Sequence, residues 1–115
     1  MRKPIIVGNW KMNKTMKETA EFMAAVDAAA ASENATFGIG APYTALSTAV
    51  ANAKNLVIAA ENCHFKDSGA FTGEISVPML QEVGVTHCMI GYYERREDYN
   101  YAPTSRMSNT YLAPG

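Results

Sequence analysis

A parallel α/β fold is predicted by three observations. Short, unbroken apolar runs recur, Ile5 to Val7 and Leu56 to Ala60 among them, as they do in strands covered on both faces. Helical stretches of roughly 8 to 17 residues stand between these runs, long enough to cross from one parallel strand to the next. The chain has 115 residues, 48% hydrophobic and 18% charged, with a net charge of -1. That size suits one domain, whereas a complete eight-unit (β/α) barrel needs about 250 residues. Periodicity leaves two architectures open, a doubly wound open sheet or part of a closed barrel.

Pro4 to Trp10 reads as a buried first strand. After a turn at Asn13 and Lys14, Thr15 caps a helix and Glu18 completes the capping-box spacing. The stripe Met16, Ala20, Phe22, Met23, Val26 and Ala30 carries that helix to about Ala31. Thr36 to Ala41 is the second strand, Phe37 and Ile39 on one side and Gly38 and Gly40 on the other, where bare glycines permit close approach. Pro42 stops it, and Thr44 to Ala53 reads as helical. Leu56 to Glu61 is a third buried strand. The stretch from Asn62 to Ile75 has no period and is a loop long enough to suggest a function. Ser76 caps a short helix, Pro78 fits its first turn, and Gly84 ends it. Thr86 to Gly91 is the fourth strand. The chain therefore holds about four β/α units, residues 1–98, followed by an irregular tyrosine-rich tail, residues 99–115, where prolines, serines and Asn109 break any period.

The charge balance offers no basic field for nucleic acid. No apolar run approaches the roughly 20 residues of a membrane span. Arg2 and Lys3 could head a signal peptide, but Asn9, Lys11 and Asn13 interrupt the apolar stretch it requires, so a cytoplasmic protein is expected. Cys63 and Cys88 fit that setting; they make no disulfide framework and no Cys-x-x-Cys, though one disulfide is geometrically open to them.

Asn9 and Lys11 sit two apart at the exit of the first strand, where parallel folds bind ligands. A lysine there attracts a phosphate or an oxyanion, or is simply a solvated loop residue. Tyr92 and Glu94 follow the fourth strand; Tyr92 could donate to a substrate oxygen, and Glu94 could act as a base or pair with Lys11, Arg95 or Arg96. Cys63 and His64 adjoin, but neighbours on extended chain face apart and no further ligand is spaced for a metal, so none is expected. His87, early in its strand, reads as a packing residue. In the loop Gly69 to Glu74, Phe71 either docks into a partner or folds back on its own core.

These residues carry a resemblance. Asn9-Trp10-Lys11-Met12-Asn13 after an apolar strand resembles the first-strand signature of the triosephosphate isomerase family. Ala59 to Ser76, AAENCHFKDSGAFTGEIS, is similar to that family's third strand and long third loop, and Val77 to Gly91 with Glu94 to Glu97 to its fourth unit. The similarity runs from about Lys3 to Glu97 and implies a partial TIM barrel, a half-barrel of four units. It implies cofactor-free interconversion of dihydroxyacetone phosphate and glyceraldehyde 3-phosphate by a cytoplasmic homodimer. It makes Asn9 a substrate contact, Lys11 the lysine facing the phosphate and the developing enediolate, Glu94 a positioning glutamate and Asn62 a structural one. Phe71, Thr72, Gly73 and Glu74 become the interface loop that reaches a second subunit.

Two departures stand against full activity. The family reads Gly-His-Ser-Glu-Arg-Arg where this chain reads Gly91-Tyr92-Tyr93-Glu94-Arg95-Arg96, so Tyr92 occupies the place of the electrophilic histidine. A phenol can polarise a carbonyl but is a poor proton shuttle near neutrality. Strands five to eight of the family, with their glutamate base, lid and phosphate cradle, have no counterpart in the sequence. The isolated chain is therefore expected to be inactive, and the alternative is a non-catalytic half-barrel that self-associates or binds a complementary chain through its open first and fourth strands.

Overall fold

The computed structural model describes residues 3–90. The Tyr92–Glu94 group, the tyrosine-rich tail and the division near residue 98 lie outside the described residues. The elements are β1 (Ile5–Asn9), α1 (Met16–Val26), a short 3₁₀ turn (Asp27–Ala30), β2 (Thr36–Ala41), α2 (Tyr43–Asn52), β3 (Val57–Ala60), α3 (Val77–Val83) and β4 (His87–Cys88). The four strands are parallel and lie in the order β1-β2-β3-β4, so sequence neighbours are spatial neighbours. This is the partial barrel: four consecutive parallel strands with the helices packed against the sheet around one core.

Local chemistry explains the element ends. Thr15 and Glu18 form the reciprocal capping box, Glu18 N–H donating to Thr15 Oγ1 at 3.2 Å and Thr15 N–H to Glu18 Oε1 at 3.0 Å. The backbone and hydroxyl of Thr15, ahead of Lys14, hold the Glu18 carboxyl below its ordinary value. Ser76 Oγ accepts Met79 N–H at the start of α3, and Gly84 closes it. The helix expected to reach Ala31 instead tightens to 3₁₀ geometry at Asp27. There the Asp27 carboxylate turns away to accept the backbone N–H groups of Lys54, Asn55 and Leu56 at 3.0–3.3 Å. One side chain thus fastens the end of the first helix to the entry of β3.

The register Asn9–Gly40–Ala59–His87 sets one row across the sheet. Paired residues of parallel strands face the same way, so Ile39, Ile58, Ala60 and Cys88 share the helix-covered side. They are buried there with Met23, Leu46, Leu80 and Val85 in one core. Gly40 faces the other way. A Cβ on it would collide with the Met89 sulfur, so the glycine permits that approach.

β1 departs from the expectation of a buried strand. Ile5 is 58% exposed, Ile6 53% and Val7 38%. The continuous apolar run is present, but among the described residues β1 has a strand on one side only, and neither of its faces is covered along its length. Its side chains are composed for neighbours that the described residues do not supply.

Candidate functional site

The candidate site grows from the exit of β1. Trp10 N–H continues the ladder to Gly40 O at 2.9 Å, and the chain then leaves the sheet. Lys11 adopts a left-handed backbone, φ 57°, and so does Lys14, φ 81°. Such a conformation costs a lysine about 1–3 kcal/mol unless its surroundings hold it. Here they do. Asn9 Oδ1 accepts Lys11 N–H at 2.9 Å, and Asn13 Nδ2 donates to Trp10 O at 2.8 Å. The strand period that puts Asn9 and Lys11 on one side does not extend through this turn; a side-chain-to-backbone bond joins them instead. Trp10 packs edge-on against Phe22 at 5.1 Å, with the Lys14 ammonium 5.7 Å from the indole centroid. The turn bearing Lys11 is thereby pinned to α1.

The second feature is the long loop after β3. His64 N–H donates to Ile75 O at 2.8 Å and His64 bridges Ser76, which closes the neck of the loop. Within it, Phe71 N–H reaches Gly69 O at 3.0 Å and Glu74 N–H reaches Phe71 O at 2.9 Å. Gly69 has φ 135°, a left-handed value suited to glycine, and the Phe71 ring lies over it. Phe71 also stacks on the His64 ring, centroids 4.2 Å apart, with Phe65 against the same imidazole at 4.7 Å. Phe71 therefore folds back on its own loop while 39% of it stays exposed, and Thr72 and Gly73 at the tip are exposed. Both ring nitrogens of His64 are buried and have no hydrogen-bond partner among the described residues.

Asn62 is buried at the loop root. Tyr43 Oη donates to Asn62 O at 2.7 Å, and Asn62 Nδ2 lies 3.4 Å from both Tyr43 Oη and Glu74 Oε2. The structural role read for Asn62 thus has concrete partners. Tyr43 and Asp27 were not singled out by sequence; Asp27 carried one signal, an acid placed among the apolar residues of a helix.

Cys63 and Cys88 are buried thiols not joined in a disulfide, and neither is exposed as a nucleophile would be. His87 is half-buried with Thr86 Oγ1 2.8 Å from its Nδ1, and burial lowers its pKa. Among the described residues no three His, Cys, Asp or Glu side chains gather as metal ligands, and no helix is long and apolar enough to cross a membrane. An open cavity of about 470 Å³ involving Lys3, Ser32, Glu33, Thr36, Lys54 and Asn55 lies at the other end of the sheet, where the strands begin. Volume alone would choose it. The convergence of a hydrogen-bonded lysine turn with the strand exits chooses the β1 end.

Known proteins match this arrangement. The triosephosphate isomerase family profile covers residues 4–109. The triosephosphate isomerase of Mycoplasma capricolum is 50% identical over 97 residues, covering 84% of this chain and 39% of that protein. That of Alkaliphilus metalliredigens is 47% identical over 102 residues, covering 87% and 41%. The crystal structure of triosephosphate isomerase from Bartonella henselae superposes with a TM-score of 0.79 at 40% identity, over 88% of this chain and 43% of that one. The chain thus spans about two-fifths of the length of these relatives. Profile, sequence and fold converge on one conclusion: the chain belongs to the triosephosphate isomerase family.

Proposed function

We propose that this chain carries the phosphate-anchoring corner of a triosephosphate isomerase site, and that the 115-residue chain alone does not turn over triose phosphate. The observation that supports the first part is the Asn9–Lys11 turn, with its 2.9 Å bond from Lys11 N–H and its left-handed Lys11 backbone. Lys11 brings a fixed positive charge to the phosphate and to the oxygen that becomes negative as the enediolate forms. Asn9, its carbonyl oxygen committed to the turn, offers its amide N–H to substrate. Glu94 stands as the positioning carboxylate, and no cofactor takes part.

The second part follows from what enolisation requires. A carboxylate must lie within about 3 Å of the proton next to the carbonyl. The family resemblance assigns that base to the sixth strand, beyond the two-fifths of its relatives that this chain spans. Tyr92 at the electrophile position can donate a hydrogen bond, but its ordinary pKa of about 10 suits it poorly to passing protons between two oxygens. An assay coupling product to a dehydrogenase, run on the purified chain, tests both parts. The expected rate equals that of Lys11→Ala. Turnover that purifies with the chain and disappears in Lys11→Ala would overturn the claim of inactivity and retain the claim for Lys11. Phosphate that binds wild type and Lys11→Ala alike would overturn the anchoring role.

The exposed apolar β1 favours a second reading, a half-barrel that self-associates or takes a complementary chain, in a cytoplasm that keeps its thiols reduced. Phe71, Thr72, Gly73 and Glu74 are the loop contacts in this reading. Sedimentation of the chain should then show species heavier than a monomer, and Thr72→Arg should weaken them. A monomer at all concentrations rejects it.

A further inference from the structure

We infer that the cavity where the strands begin is a second binding site, for a phosphorylated polyol, at the opposite end of the sheet from Lys11. It rests on no part of the isomerase reading. The cavity holds about 470 Å³, within the roughly 300–1,000 Å³ of small-molecule sites. Three stretches far apart in sequence line it: Lys3 ahead of β1, Ser32 and Glu33 with Thr36 at the entry of β2, and Lys54 with Asn55 ahead of β3. Hydrogen bonds hold these stretches in place. The Asp27 carboxylate accepts the N–H groups of Lys54 and Asn55 at 3.1–3.3 Å. Thr36 N–H donates to Pro4 O at 2.8 Å, and Lys3 Nζ donates to Ser32 O at 3.0 Å.

The same bonds decide what each side chain has left to offer. Ser32 Oγ accepts Asn34 N–H at 3.1 Å and Ala35 N–H at 3.3 Å, so both lone pairs are engaged and its O–H remains to donate. Asn55 Nδ2 donates to Asp27 O at 3.2 Å and to Asp27 Oδ2 at 3.3 Å, so its carbonyl oxygen remains to accept. Lys3 and Lys54 add two ammonium groups and Glu33 one carboxylate. A bare phosphate meets the lysines and the Ser32 hydroxyl, but the Glu33 carboxylate repels it. A neutral polyol leaves the ammonium groups without a charge to bind. A phosphate monoester of a polyol answers both halves. Its phosphate oxygens accept from Lys3, Lys54 and Ser32, and its hydroxyls donate to Glu33 and Asn55.

Titration of the full nitrogen-labelled chain with sorbitol 6-phosphate, followed by amide NMR, tests this, with inorganic phosphate and sorbitol as comparison probes. Saturable shifts are expected at the amides of residues 32–36 and 54–55, in wild type and in Lys11→Ala alike. Lys54→Gln should weaken binding about tenfold, the worth of one charge-assisted hydrogen bond, while amides elsewhere keep their positions and so report an intact fold. Glu33→Leu should tighten inorganic phosphate and weaken sorbitol 6-phosphate, opposite signs that a merely structural role for Glu33 does not produce. Equal affinity in Lys54→Gln and wild type would overturn the proposal, as would the absence of saturation. Inorganic phosphate that binds as tightly as sorbitol 6-phosphate would overturn the polyol as ligand. Shifts confined to Asn9–Asn13 and lost in Lys11→Ala would overturn this second site and leave the Lys11 reading standing.

Discussion

Ile5, Ile6 and Val7 of β1 and Val57, Ile58 and Ala59 of β3 are short apolar runs in one parallel sheet, yet they meet different surroundings. β3 lies between β2 and β4 with α2 packed against it, and Ile58 is 5% exposed. Among the described residues β1 pairs only with β2, and Ile5 and Ile6 keep more than half of their surface. Covering such a side chain fully is worth about 1.5–3 kcal/mol. β3 realises that gain within the described residues and β1 does not. An unbroken apolar run therefore reports the environment for which a strand is composed, and the strand's place in the sheet decides whether that environment is present.

The largest test of this contrast is a core truncation set against an edge one. Leu80 is 2% exposed in the cluster beneath β3 and β4. Leu80→Ala should cost about 2–5 kcal/mol by urea denaturation, through lost burial and the cavity it leaves. Ile5→Ala should cost less than about 1 kcal/mol, because much of its side chain already meets water. Equal losses would mean that β1 is covered in solution, and would shift weight to the self-associating reading.

Asp27 sharpens the comparison at the entry to β3. Burial opposes its ionisation, but the N–H groups of Leu56, Asn55 and Lys54 outweigh burial and hold the carboxyl below its ordinary value. With the folded pKa depressed, the unfolded chain binds the proton more readily. The stabilisation is therefore complete above the unfolded value of about 3.9 and is lost as pH falls through the lower folded one. Asp27→Asn should cost about 1–3 kcal/mol at neutral pH and reduce the fall in stability across that acid range, read from urea midpoints at several pH values. An unchanged acid limb would remove Asp27 from this role.

How much was legible follows from the range of each interaction. Thr15, Glu18, Ser76 and Gly84 act on backbone within a few residues, so the capping box and the bounds of α3 could be read from spacing. Asp27 acts on residues 27 to 29 positions away, and Tyr43 on Asn62 across 19, which no local pattern encodes. At the site, the residue types at the β1 exit were legible, but the left-handed turn at Lys11 was not, because lysine has no preference for it and Asn9 imposes it. Both possible roles of Phe71 were visible in the glycine-framed loop. Its contact with His64 depended on a ring placed by the loop's own closure.

The smallest expected change in stability lies on β1 itself. Ile6 pairs with Phe37 and points to the helix-bearing side, yet is 53% exposed. Ile6→Lys introduces a charge that water can solvate, so the urea midpoint should move by less than about 0.5 kcal/mol in stability. A lysine on an edge strand opposes pairing with another chain, because its charge would be drawn from water as the edges meet. If β1 is the surface through which copies associate, this substitution should lower the sedimentation-derived mass while leaving the unfolding midpoint in place. A mass that stays high would direct attention from β1 to the Phe71–Glu74 loop, and a midpoint that collapses would mean that Ile6 is covered after all. Separating mass from midpoint is what distinguishes an edge composed for a partner from one that is merely exposed.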